Sequence, residues 1–395
     1  MKETRFKQTE IGLIPEDWKI ISLEEIGEPK MCKRILKNQT FIKGDIPFYK
    51  IGTFGGKADA YISKSLYEYY KKKFSFPQKG DVLISAAGTI GRLVIYQGED
   101  AYYQDSNIVW IDNKEEKLLN QYLYYTLKNT SWDTSQGTIQ RLYNASLKAK
   151  QIIIPLSINE QKKIASALTS IDNLLLSLDK LIEKKRLIKQ GAMQELLTGK
   201  KRLPGFTGEW VEKKLGEGLR FKPGFPFNSN FFDERMGIRL IRNRDLKADD
   251  QITYFYGNIN KDFIIENGDL LIGMDGDFMP CLWNKGKALL NQRVGKIELI
   301  SNNWCLMYLF YALQEPLKAK QEKTGATTVK HLSHSDIEQM RLKMPSTSIE
   351  QKVIGKILSS MDKGIESLEG KKAKYEQIKQ GMMQQLLTGK IRLIS

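Results

Sequence analysis

The 395-residue chain has little of what the common enzyme classes require. Only two histidines occur, His331 and His334, and only three cysteines, Cys32, Cys281 and Cys305. The cysteines lie far apart and give no disulfide framework, which fits a reducing cytoplasm. The histidines, at i and i+3, have no local thiolate partner, so polar contacts, phosphate among them, suit them better than zinc. No Gly-Lys pair completes a P-loop, no glycine-rich turn opens a helix in the dinucleotide manner, and no Gly-x-Ser-x-Gly elbow is present. The Asn- or Asp-Pro-Pro-aromatic tetrapeptide of amino-methyltransferases is also missing. Acidic pairs such as Asp249 with Asp250, or Asp275 with Asp277, lack the Glu-x-Lys companion of a nuclease and read as turn residues. Apolar runs such as 151–155 fall far short of a membrane span. The N-terminus carries no apolar leader, and no segment is low in complexity. The chain is therefore expected to hold no catalytic site, metal or cofactor of its own.

Positive charge, by contrast, is plentiful: 62 Lys and Arg against 46 Asp and Glu, a formal +16. A polyanion is the first partner this suggests. The excess is +5 over residues 1–155, +5 over 156–203, +2 over 204–345 and +4 over 346–395. More than half of it thus sits on two short segments. If the larger parts read nucleic acid, their charges must be sorted onto one face. A generally basic protein that binds nothing is the bland alternative.

Those two segments are copies. Displaced by 190 positions, Pro155–Leu203 lies over Pro345–Leu393 without a gap, and roughly half the positions are identical. Ile188-Lys-Gln-Gly recurs from Ile378, and Leu196-Leu-Thr-Gly-Lys recurs from Leu386. The preceding regions match more loosely. Gly80-Asp-Val-Leu-Ile-Ser resembles the run from Gly268, Thr138-Ile-Gln-Arg-Leu resembles the run from Thr328, and Trp18 with Leu23 resembles Trp210 with Leu215. Arg141 and His331 occupy matching places. The whole is an internal duplication with nearly preserved helices and diverged globular parts.

Each globular part reads as α/β (α+β). Strands are expected over 81–85, 93–96, 107–111 and 150–155, and in the second part over 238–241, 269–272, 294–299 and 340–344. Helices are expected over 116–127 and 303–320. The copied segments read as long helices, capped at Ser157 and at Thr347 or Ser348, with Glu160 and Glu350 in the first turn. Ile164, Leu168, Ile171, Leu175, Leu178 and Ile182 step by three and four, as do Ile354, Leu358, Met361, Ile365 and Leu368, with Tyr375 beyond Lys372. That seam is the pattern of a coiled coil, about 60 Å long at ~1.5 Å per residue. An antiparallel pairing of the two copies, related by a pseudo-two-fold axis, would satisfy both seams; packing inside one compact domain is the alternative. Gly191 and Gly381 should interrupt the helices late, and Gly199 and Gly389 should end them.

A Trp-containing start (Ile14-Pro-Glu-Asp-Trp18), a Gly-Asp-x-Leu-Ile strand, a Gly-Thr-Ile-x-x-Leu turn and Glu-Gln-Lys-x-Ile opening a helix together resemble half of a specificity (S) subunit of type I restriction-modification systems. In the second half, Gly224-Phe-Pro-Phe-Asn-Ser and Ile238-Arg-Leu-Ile-Arg242 resemble the same family's target-recognition domains. The resemblance implies target-recognition domains at 1–155 and 204–345 and conserved spacer helices at 156–203 and 346–395. It implies a non-catalytic cytoplasmic protein that reads a bipartite site in double-stranded DNA, each domain taking one half. Two methyltransferase (M) subunits, binding S-adenosylmethionine and methylating adenine, would dock on the helices and domain flanks. Restriction (R) subunits would add ATP- and Mg-dependent translocation and cleavage; no membrane is involved.

Base contacts are expected from loops leaving the strands. In the first reader these are Ser85 to Arg92, with Thr89, and Gln104 to Asn107. In the second they are Arg242, Asn243 and Arg244, then Asp275 to Asp277, then Asn291, Gln292 and Arg293. Arg suits guanine edges and Asn or Gln suits adenine edges in the major groove. Arg141, Lys330 and His331 suit phosphate contacts that set register. A related bipartite restriction-methylation system, an assembly scaffold with little DNA affinity and an unusual nuclease or methyltransferase are the other readings.

Overall fold

A computed structural model of the chain describes residues 4–132, 141–323 and 331–394. Two compact units emerge, Met1–Asp179 with Lys371–Ser395, and Lys180–Gly370. Each is an α/β body completed by halves of two long helices.

Unit 1 begins with a hairpin, β1 (Phe6–Thr9) and β2 (Gly12–Pro15), followed by β3 (Trp18–Ser22), β4 (Pro29–Lys30), β5 (Ile46–Tyr49), β6 (Ala60–Ile62) and α1 (Lys64–Lys73). Then come β7 (Val82–Ser85), β8 (Leu93–Ile95), β9 (Tyr102–Tyr103), β10 (Ile108–Ile111), α2 (Asn120–Lys128), α3 (Asn144–Lys148), β11 (Gln151–Pro155) and α4 (Ile158–Leu196). Its main sheets run β4-β10-β7-β8 and β6-β5-β9, and β11 pairs with β3 beside them. One core gathers Trp18, Leu23, Ile84 and Tyr122 with Ile164 and Leu168 of α4; a second lies among Phe48, Phe54, Tyr102 and Trp110.

Unit 2 contains β12 (Trp210–Lys214), β13 (Leu219–Pro223), β14 (Phe232–Asp233), β15 (Ile238–Ile241), β16 (Thr253–Phe255), β17 (Ile264–Ile265), β18 (Leu270–Gly273), β19 (Pro280–Leu282), β20 (Ala288–Leu290) and β21 (Val294–Leu299). It continues with α5 (Leu306–Ala312), α6 (Gln314–Lys323), α7 (His334–Glu338), β22 (Arg341–Pro345) and α8 (Ser348–Leu386). Here the sheets run β13-β21-β18-β19 and β14-β16-β15-β20-β17, with β12 on β22. The first four-stranded sheet of each unit is the same construction.

Both long helices start the same way. The Ser157 and Thr347 hydroxyls accept from the Glu160 and Glu350 amides, at 3.3 and 3.5 Å, which are N-caps. Buried Gln161 donates to the Pro155 carbonyl and accepts from Leu119 N; Gln351 does the same with Pro345 and Cys305. Each amide side chain thus ties a strand end and a second helix to the first turn. One step earlier sits a buried carboxylate. Glu160 receives Arg392 Nε and Nη2 at 2.6 and 2.8 Å and the Trp18 indole at 3.3 Å. Glu350 receives Arg202 Nε and Nη2 at 2.8 and 2.9 Å and the Trp210 indole at 3.4 Å. Bidentate arginine and an indole N–H fill the acceptor sites that burial would otherwise leave costly.

Within each unit the helix halves run antiparallel. In unit 1, Asp172 pairs with Lys379 and Asp179 with Lys372. In unit 2, Lys189 pairs with Asp362 and Arg186 with Glu369. As one partner's number rises the other's falls. The apolar stripe is not a helix seam throughout, however. Ile164 and Leu168, like Ile354 and Leu358, are buried in the globular cores, so the first turns pack on the sheets instead.

Other boundaries also moved. Gly191 and Gly381 do not interrupt the helices, which continue to Leu196 and Leu386; an added Cβ at either would meet nothing within 4 Å. Gly199 and Gly389 take φ of +71° and +70° just past those ends, where an L side chain is strained. The helix expected over 116–127 starts at Asn120, because Asn113 Nδ2 holds the Leu118 carbonyl and Asn120 Oδ1 in a turn. The helix expected over 303–320 is two, α5 and α6. Pro316 has no N–H for the Ala312 carbonyl, so one continuous helix would lose that bond. The hairpin β1–β2 and the sheet β6-β5-β9 are among the elements beyond the strands expected from the sequence.

Candidate nucleic-acid interface

In each unit two short strands run parallel, and loops leave their carboxyl ends, the customary place for ligands in open α/β sheets. In unit 1 these are β5 and β9, paired Phe48↔Tyr102 and Tyr49↔Tyr103. In unit 2 they are β15 and β20, paired Leu240↔Leu289 and Ile241↔Leu290. The turn of the β7–β8 hairpin, or of β18–β19, meets those loops at the same rim.

The backbone frame repeats bond for bond. Ala86 N donates to Asn107 O and Leu142 N to Ala86 O, at 2.7 and 2.8 Å. Met274 N donates to Arg293 O and Leu332 N to Met274 O, at 3.0 and 2.8 Å. Antiparallel bridges join Ala87 to Arg141 and Asp275 to His331. The turn after the first parallel strand is closed by Lys50 N to Thr53 Oγ1 at 3.1 Å, and by Arg242 N to Asp245 Oδ2 at 2.8 Å. Three rim positions therefore correspond: Ala87, Asn107 and Arg141 in unit 1 with Asp275, Arg293 and His331 in unit 2.

The side chains at these rims differ. In unit 1 the exposed Arg92 reaches the Phe54 carbonyl at 2.8 Å, and exposed Arg141 the Ser106 carbonyl at 3.3 Å. Ser85 is 1% exposed; its hydroxyl donates to the Thr89 carbonyl and accepts from Arg92 N, so it shapes the turn from inside. Thr89 lies exposed at the turn's tip. Gln104 Oε1 accepts from Ile51 N, binding the two parallel-strand loops together, and Asn107 is half-buried. In unit 2, Asp275 accepts from His331 Nδ1 at 2.9 Å and pairs with Arg293 Nε at 3.2 Å. Asn243 Nδ2 donates to the Asp275 carbonyl. Its Oδ1 lies where a Cβ on Gly273 would stand, 1.9 Å away, so the matching place to Ser85 must be glycine. Arg244, Gln292 and Arg293 are exposed, Arg242 is half-buried and Asn291 is buried. Arg242 Nε and Asn243 Oδ1 are buried and have no hydrogen-bond partner among the described residues. Lys330 lies outside the described residues.

Beneath the Arg242–Arg244 loop, burial pushes the Asp245 carboxyl up to about 6, against the lowering influence of Arg244 and Arg239. Among the described residues no cluster of His, Cys, Asp and Glu could hold a metal, and no helix is long and apolar enough to cross a membrane.

The structure adds rim residues that the sequence did not single out. Lys50 and Lys57 flank the β5–β6 loop, and Arg34 Nε pairs with Asp105 of the Gln104–Asn107 loop at 2.8 Å. Their signal was present as seven basic residues against one acidic over 29–58. Pro47 inside a four-residue strand hid the frame that gathers them.

Comparison with known proteins gives a consistent picture. The family model described as type I restriction modification DNA specificity domain matches residues 15–189 and again 207–377. A putative type I restriction enzyme specificity subunit of Haemophilus influenzae is 55% identical over 174 residues, covering 44% of this chain and 45% of that one. The chain thus spans about half the length of that relative. The putative MjaX specificity subunit of Methanocaldococcus jannaschii is 28% identical over 432 aligned residues, 99% of this chain and 98% of its own. In fold, the chain is similar to the S subunit of a type I restriction-modification system from M. genitalium, with TM-score 0.64, 18% identity, and 97% and 98% of the two chains covered.

Proposed function

Because this chain belongs to the type I restriction modification DNA specificity domain family, we propose that it is the DNA sequence-specificity subunit of a type I restriction-modification system. Residues 1–155 and 204–345 each read one half of a bipartite site, and the helical segments 156–203 and 346–395 set the interval between the halves. The chain performs no chemistry. Two M subunits supply S-adenosylmethionine-dependent adenine methylation, and R subunits supply ATP- and Mg-dependent cleavage. The complex acts in the cytoplasm, where its DNA is.

The observation that carries this reading is the repeated rim. One backbone frame holds three equivalent positions in both units, and their side chains differ in charge and in hydrogen-bonding character. A frame kept constant while its presented groups change is what two readers of unlike sequences need. The docking of M subunits is supported by a surface cavity of about 790 Å³ between α2 and the first half of α4, lined by Tyr124, Lys128, Asp172 and exposed Leu176.

Mapping modified adenines in DNA from cells carrying the whole system tests the proposal. Two short elements separated by a fixed non-specific gap are expected; a contiguous motif, or none, overturns it.

A further inference from the structure

Asp275 is an unexpected residue for a surface that faces phosphates, because a carboxylate there is repelled by the DNA backbone. The frame does not need it. Unit 1 builds the same antiparallel bridge with Ala87 opposite Arg141 that unit 2 builds with Asp275 opposite His331. What the acid does instead is hold two exposed donors. Its Oδ1 takes His331 Nδ1 at 2.9 Å, and its Oδ2 forms an ion pair with Arg293, 3.2 Å from Nε. Arg293 is exposed, and the guanidinium nitrogens form the fork that fits guanine O6 and N7. Each Asp275 oxygen keeps a second lone pair, able to accept from the exocyclic amino group of cytosine. Acceptor and fork side by side best complement a C·G pair: the amino group of C beside the two acceptors of G.

We propose that Asp275 and Arg293 read a C·G pair in the half-site of the second reader, with His331 orienting the carboxylate. The corresponding trio Ala87, Asn107 and Arg141 lacks an acid and makes a different choice in the other half-site. This inference rests on the DNA-specificity reading above and names what one of its two readers recognises.

The test compares modified-adenine motifs from cells expressing the complete system with the wild-type chain or with Asp275→Asn, Asp275→Ala or Arg293→Gln. Asp275→Ala places at the bridge the residue unit 1 already carries there, and Arg293 is exposed, so neither should disturb folding. The wild-type motif should hold a C·G pair in one half-site. Asp275→Asn should relax preference at that pair alone, by roughly tenfold or more, and Arg293→Gln should weaken the preference for G at the same pair. The other half-site should stay unchanged. A wild-type half-site without a C·G pair overturns the inference. So does uniform loss of methylation with an unaltered motif, which would make Asp275 a structural latch only. A wild-type genome with no bipartite motif would sink the specificity reading instead, so the two failures are distinguishable.

Discussion

Glu160 and Glu350 stand at the same point of their helices, each buried, each gripped by an arginine fork and an indole N–H. Ala87 and Asp275 also stand at the same point of their hairpins, yet share nothing chemically. The contrast follows from what a substitution costs in each place. Removing one member of a buried ion pair strands a charge, so the roots of the helices can change only in concert. A rim residue in solvent changes almost freely as far as stability is concerned. The duplicated chain has therefore kept its joints and varied its faces.

The roots themselves are not quite equal, and the largest expected effect exploits that. Arg392 adds a second carboxylate, Asp17 at 2.6 and 2.7 Å, and is 7% exposed where Arg202 is 28% exposed. Arg392 also holds the Asp17 carboxyl below the usual carboxylate range. Arg392→Ala should destabilise unit 1 by about 3–5 kcal/mol, and Arg202→Ala should cost unit 2 less. Amide exchange along β3 and β12 separates the two; equal losses would mean that Asp17 adds nothing to the root of α4.

A second asymmetry is titratable. The turn that Thr53 closes in unit 1 is closed by Asp245 in unit 2. A carboxyl raised by burial to about 6 binds its proton more tightly in the folded state than in the unfolded one. Stability from this group is present at low pH and falls as pH rises from about 4 through 6, by at most roughly 3 kcal/mol. Urea unfolding of wild type against Asp245→Asn across that range should show a gap that varies with pH. A constant gap would mean the carboxyl does not titrate there.

At the rim, Arg141→Gln should weaken DNA binding by the assembled complex evenly across sequences and lower its salt slope by about one. Asn107→Ala should instead relax one half-site. If Arg141→Gln changes the motif, the first reader uses a bridge residue for bases and the division between positioning and reading shifts. The smallest effect should be the same in both units. Gly191→Ala and Gly381→Ala fill open space in a helix interior and should each stabilise by about 0.5–1 kcal/mol.

The sequence made the regular parts legible because their causes are local. The apolar run in 107–111, the caps at Ser157 and at Thr347 or Ser348 and the 190-residue echo of the helices all act over a few residues or by plain identity. It was less informative wherever long-range contact decides. Glu160 looked like an acid favouring a helix dipole, but its burial depends on Arg392, far along the chain. Ser85 looked like a loop hydroxyl and is an internal turn bond. The gathering of Arg242, Asp275, Arg293 and His331 at one rim follows from the loops chosen, while the parallel strands that bring them together left only short, ambiguous runs.

The division of the chain into units has a temporal side. Unit 1 holds Met1–Asp179 but is closed by Lys371–Ser395, whereas unit 2 is one uninterrupted stretch. On the ribosome the part made first is therefore finished last. At ordinary elongation rates its partner strand of helix emerges roughly 10–40 s after Asp179. Through that interval Glu160 has no arginine, and the nascent core lacks Leu386 and Leu387. The N-terminal part of unit 1 thus waits, with an open core and an unpaired carboxylate, for a segment made after all of unit 2.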